Sequence, residues 1–110
     1  MKTSELTGAA LDWAVANCDD SDEDTCLHIV LREGFTPSTD WAQGGPIIER
    51  EGISIWVFDD VTWKAENPFA SGVDQVFEAE TPLIAAMRCY VASKLGDEVE
   101  IPAELVGEQA

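Results

Sequence analysis

Apolar residues near the start of the chain recur at three- and four-residue spacing. In "TSELTGAALDWAVANC", Leu6, Ala10, Trp13 and Ala14 share one face of an amphipathic helix that Thr3, Ser4 or Thr7 can cap. The spacing then changes. In "CLHIVLR", Leu27, Ile29 and Leu31 alternate with His28, Val30 and Arg32, which predicts a strand. "EGFTPSTDWAQGGP" carries Gly34, Pro37, Gly44, Gly45 and Pro46 and reads as a loop. "PIIEREG" reads as a short helical turn that Pro46 opens and Gly52 closes.

Alternation returns in "ISIWVFDDVTWKAE". Ile53, Ile55 and Val57 oppose Ser54, Trp56 and Phe58, Asp59-Asp60 supplies a turn, and Val61, Trp63 and Ala65 continue the pattern as a hairpin. "NPFASG" breaks the chain, and "VDQVFEAE" reads as a short edge strand or an acidic loop. The last helix is the clearest. In "TPLIAAMRCYVASKLG", Thr81 is the N-cap, Pro82 the first helical residue and Gly96 the C-terminal cap, with Leu83, Met87, Tyr90, Val91 and Leu95 on the buried stripe. From about residue 97 an acidic tail follows, ordered as far as Leu105. The expected fold is α+β: a small antiparallel sheet with a central hairpin, packed by an N-terminal and a C-terminal amphipathic helix.

Composition narrows this to one domain, residues 1–110, with an apolar fraction of 45%. No apolar run is long enough to cross a bilayer, and "MKTSELTGAALDW" lacks the apolar stretch of a secretory signal. Cys18, Cys26 and Cys89 are an odd number without a C-x-x-C pair, as expected of reduced thiols in a cytoplasm. Charge changes the picture most. Twenty-two acids face six bases, for a net charge of −16. That surface repels nucleic acid and anionic lipid and attracts basic proteins; it also keeps a chain soluble.

Three blocks, "MKTSELTGAALDWAVA", "STDWAQGGPIIEREGISIWVF" and "TPLIAAMRCYVASKLGDEVEIPAEL", closely resemble the NinX-like proteins of lambdoid bacteriophages, in order and residue by residue. Residues 17–35 and 59–80 are the divergent parts. The resemblance implies a phage or prophage origin and the cytoplasm of a bacterial host, and it brings no catalytic residues to transfer. It also implies that the acidic segment belongs to this member more than to the family.

That segment, "CDDSDEDTC", invites three readings. Asp20, Asp22 and Asp24 have the first spacing of a calcium loop, but Thr25 stands where the sharp turn needs glycine and Leu31 where the bidentate glutamate belongs. Cys18, Cys26 and His28 match no zinc spacing, and a Cys18–Cys26 disulfide would need an oxidising compartment. The expectation is a solvated acidic loop joining helix to strand, with no metal and no cofactor. Catalysis finds no support either: one histidine, scattered cysteines and sequence-adjacent acids supply no nucleophile–base pair, and Gly44-Gly45-Pro46 lacks the lysine of a phosphate loop.

The reading is therefore a non-enzymatic acidic accessory protein that binds a host or phage protein. In its sharpest form Asp19, Asp20, Asp22, Glu23, Asp24, Asp59 and Asp60 lie at one end of the sheet and imitate the charge row of DNA, as anti-restriction or anti-CRISPR inhibitors do, occupying a basic nucleic-acid-handling partner. The alternative is an adaptor or assembly module that makes contact through an uncharged patch around Trp41, Gly44, Gly45 and Trp56. A homodimer through the hairpin edge belongs to that class. Trp13 and Trp63 are expected in the core.

Overall fold

Thr81 precedes Pro82 and acts as the sequence requires of a cap: its hydroxyl accepts from the Ile84 N–H at 3.2 Å. The helix that follows, Pro82–Leu95, ends at Gly96, whose φ of +90° lies in the glycine-favoured region. It is α4 in a computed structural model that describes residues 1–19, 22–68 and 76–106. Asp20, most of the "NPFASG" break and residues 73–75 of "VDQVFEAE" lie outside those residues. Before α4 come α1 (Gly8–Asp19), α2 (Glu23–Arg32) and α3 (Trp41–Glu51), then β1 (Ser54–Val57), β2 (Trp63–Glu66) and β3 (Phe77–Ala79). A single turn, α5 (Ala103–Val106), follows it.

The fold is α+β, as the pattern predicts. The strands form an antiparallel sheet in the order β1-β2-β3, so "VDQVFEAE" does contribute an edge strand. Ile55, Ala65 and Phe77 stand opposite one another on one face, and so do Val57, Trp63 and Ala79. Helix α4 packs against all three strands on one side and against α1 and α3 elsewhere. This explains burial beyond the predicted stripe. Besides Leu83, Met87, Tyr90 and Val91, the helix buries Ala85, Ala86, Cys89 and Ala92, as expected of a helix enclosed by neighbours. Every residue of α1 from Ala10 to Ala16 is buried for the same reason. Among them is Asp12, whose carboxylate accepts from the Ser38 N–H at 2.9 Å.

The acidic stretch after residue 97 belongs to the domain as far as Leu105. Val99 and Leu105 are buried, and Met1 and Val99 exchange backbone hydrogen bonds at 3.0 and 2.9 Å. Thr3 adds two more, to the Asp97 and Gly96 carbonyls.

Two expectations fail, both for local reasons. "CLHIVLR" is the body of α2, not a strand. Asp22 caps it, accepting from the Asp24 N–H at 3.1 Å, and Cys26 and Val30, four residues apart, turn inward while Leu31 is half exposed. A six-residue alternation does not outweigh an N-cap and an inward-facing pair at i, i+4, even where propensity is middling. "CDDSDEDTC" therefore joins helix to helix, and its second half already lies within α2.

"DWAQGGP" is likewise not a loop. It forms the first turns of α3, started by Asp40, whose side chain accepts from the Ala42 N–H at 2.9 Å and from Gln43 Nε2 at 2.9 Å. The short turn expected from Pro46 thus begins at Trp41. Gly52 closes it in the left-handed region at φ +69°, as expected.

Candidate partner-binding surface

Of the seven acids expected to act together, Asp20 lies outside the described residues and the rest fall into two separate groups. Asp19 ends α1 and accepts from the Tyr90 hydroxyl at 3.1 Å, while Arg50 Nη2 donates to that hydroxyl at 3.0 Å. Arg50 also pairs with Glu51 at 3.0 Å, and Lys94 reaches Glu51 at 3.4 Å. Burial works to raise the Glu51 carboxyl, but Arg50 and Lys94 outweigh it and hold it low. Asp19 is thus tied into a structural network where α3 enters β1.

Asp22 is spent on its cap. It also accepts from the Thr25 hydroxyl at 2.6 Å, which holds its carboxyl below the usual range. Glu23 and Asp24 are exposed in the first turn of α2, where they complement the positive end of the helix dipole.

Asp59 and Asp60 project from the hairpin tip. The Val61 N–H donates to Asp59 at 2.9 Å and keeps that carboxyl low. The tip is the far end of β1 from Arg50, Gly52 and the Asp19 network. Ile53 to Phe58 spans about 17 Å at the rise of an extended strand. Asp19 and the hairpin acids therefore lie at opposite ends of β1.

Of the tryptophans, Trp13 is in the core, and its indole donates to the Glu23 carbonyl at 3.3 Å. Trp63 is only half-buried, in contrast to expectation, because it sits in the row nearest the hairpin tip, where cover over the sheet thins. Trp56 is half-buried on the outer face beside Lys64. Trp41 is 52% exposed on the first turn of α3.

Of the two glycines in the helix after it, the first has structural work. A Cβ on Gly44 would collide with the Pro37 carbonyl and come within 2.6 Å of Leu83 Cδ2, so this glycine lets α3 lie against α4. Gly45 has room, with Trp41 Cε3 the nearest atom at 3.9 Å. Gly44 is therefore buried in packing and is not an open contact surface.

The residue pattern missed an apolar cluster beside the hairpin tip. Val57, Phe58 and Val61 are exposed, Val61 to 72%. Next to them an open groove of about 880 Å³ runs between Val61 and Thr62, the Glu78–Glu80 end of β3, and Ile84 and Arg88 of α4. Arg88 is held there by its neighbours: Nε donates to the Leu6 carbonyl at 2.8 Å and Nη1 to that of Glu78 at 2.6 Å. A smaller cavity of about 210 Å³ shares Ile84 and lies between Trp41, Pro82 and Leu83. The alternation already put Val57 and Trp63 on one face; what it could not supply was where α4 stops covering that face.

The groups considered for redox, metal or catalytic chemistry are dispersed. Cys26 and Cys89 are buried free thiols, and Cys18, also free, is half-buried. Burial pushes the Cys18 thiol up to about 12, with Asp19 adding to the shift, and that of Cys89 up to about 11. His28 is exposed on α2, 3.6 Å from Glu33. Among the described residues no three His, Cys, Asp or Glu side chains cluster as metal ligands, and no helix is long and apolar enough to cross a membrane.

No curated protein matches the chain. The family model described as Bacteriophage P22, NinX matches residues 2–94, which takes in the hairpin, the groove, Trp41 and nearly all of α4. The chain belongs to that NinX family of phage proteins.

Proposed function

We propose that this NinX-family protein is a non-enzymatic accessory protein that works in the cytoplasm of the bacterial host by binding a host or phage protein. The observation that carries this reading is exposed apolar surface on a chain of net charge −16: Trp41 at 52% exposure and Val61 at 72%, on either side of Ile84. Exposed tryptophan beside other apolar groups is a common anchor of protein contacts, and surrounding acids speed the approach of a basic partner. Imitation of a continuous DNA charge row is the weaker form. Asp19 and Asp22 are engaged in structural bonds, and the hairpin acids stand at the other end of β1. Acids distributed in this way act as a field around an apolar contact.

The test is affinity capture from host lysate, followed by identification of the retained protein and rebinding of the two purified proteins. Trp41→Ser is expected to weaken rebinding at least tenfold, as truncation of an interface hot spot does. A variant carrying Glu23→Gln and Asp24→Asn is expected to change it little. Failure of purified partners to rebind, or loss with the acid variant and not with Trp41→Ser, contradicts the apolar-contact reading.

A further inference from the structure

The groove beside the hairpin has a chemistry that selects its occupant. Its floor is the part of the sheet face that α4 leaves uncovered, ending at Ala79, with Val61 and Ile84 as apolar walls. Its rim carries the Glu80 carboxylate, and Asp59 and Asp60 stand next to Val61 at the hairpin tip; Glu78 also lines it, but its carboxylate pairs with Lys64 at 3.3 Å. Among the described residues Arg88 is the one cation lining it, and two of its nitrogens are committed to the backbone carbonyls of Leu6 and Glu78.

Beyond Ile84 the smaller cavity has a different character. Trp41, Pro82 and Leu83 make it apolar, and Ser38 also lines it. The Ser38 hydroxyl is buried and has no hydrogen-bond partner among the described residues. Buried hydroxyls are normally paired, so this one leaves a bond available to whatever enters.

We infer that the groove and the cavity together bind an extended basic segment of a partner protein. An apolar side chain enters beside Trp41 and Ser38, and lysine or arginine side chains meet Glu80 and the hairpin-tip acids Asp59 and Asp60. This rests on the protein-binding reading above and names the site and the class of partner. Charge complementarity selects the occupant: an anionic ligand would face the rim carboxylates within the field of a chain at −16.

The probe is a short synthetic peptide alternating arginine and leucine, titrated into the ¹⁵N-labelled full chain and followed by NMR. Shifts are expected to concentrate at Val61, Ala79, Ile84 and the Trp41 indole. Two variants of equal charge change separate a site from a field: Asp60→Asn with Glu80→Gln at the rim, and Glu23→Gln with Asp24→Asn on α2. The rim variant is expected to weaken binding about tenfold, the size of one or two lost charge-assisted bonds, and the α2 variant hardly at all. Val61→Ser, at an exposed position, is expected to weaken it several-fold while leaving the folded spectrum unchanged.

Equal weakening by the two acid variants, equal affinity for an all-arginine peptide, or shifts centred on Asp22–Asp24 would overturn the groove. The rim variant is also carried into the rebinding assay with the identified partner. A partner that rebinds it at full affinity sinks the groove and leaves the protein-binding reading standing; absence of any partner for the unaltered chain sinks that reading itself.

Discussion

Gly44 and Gly45 are adjacent, share a helix and have opposite reasons for being glycine. Gly44 sits where α3 touches the Pro37 carbonyl and Leu83; Gly45 touches almost nothing. Gly44→Ala is expected to destabilise the protein by about 1–3 kcal/mol through overpacking. Gly45→Ala is expected to stabilise it by about 0.5–1 kcal/mol, since alanine is the better helix former. Urea denaturation of the two variants checks both signs, and destabilisation by both would mean that α3 packs differently. Neither role was legible from "DWAQGGP", because the atoms that crowd Gly44 include a side chain of α4, far along the chain. Roles fixed by near neighbours were legible: Thr81, Pro82 and Gly96 each occupy the position their chemistry implies.

Among elements, legibility followed length and punctuation. α4 and the hairpin were readable because caps and alternation agree over many residues. α2 departs from its own pattern because Leu27, Ile29 and Leu31 imitate a strand, and the decisive information, the Asp22 cap, lies before them. The close packing of α1 and α4 has its own consequence for pH. Cys18 ends near Lys94 and Glu51, and Cys89 lies within α4; both thiols are raised from 9.0, to about 12 and about 11. Below pH 9 the folded and unfolded chains both keep these protons. Above it the unfolded chain ionises first, so stability is lost as pH rises from 9 toward the folded values. Urea midpoints measured from pH 8 to 10.5 are expected to fall, and Cys18→Ala with Cys89→Ala is expected to flatten that fall while lowering stability at neutral pH. An unchanged slope in the double variant would show that other groups, such as Tyr90, govern the alkaline limb.

For the whole molecule, the sequence carried net charge and fold class and left the arrangement of charge open. Counting acids suggested one row; folding placed Asp19 and Asp22 in structural bonds and sent Asp59 and Asp60 to the far end of β1. Two exposed apolar side chains, Trp41 and Val61, by contrast, line neighbouring concavities that share Ile84. Such a surface engages a partner by apolar contact within a negative field, and the two contributions respond differently to salt. Exposed charges lose most of their reach once the Debye length shrinks to about 3 Å in 1 M salt, whereas apolar contacts persist. The most direct measurement is therefore the affinity of the purified chain for its captured partner from low salt to 1 M. A moderate weakening that levels off at measurable binding is predicted; a steep decline to no binding would show that charge alone makes the contact and would contradict the account.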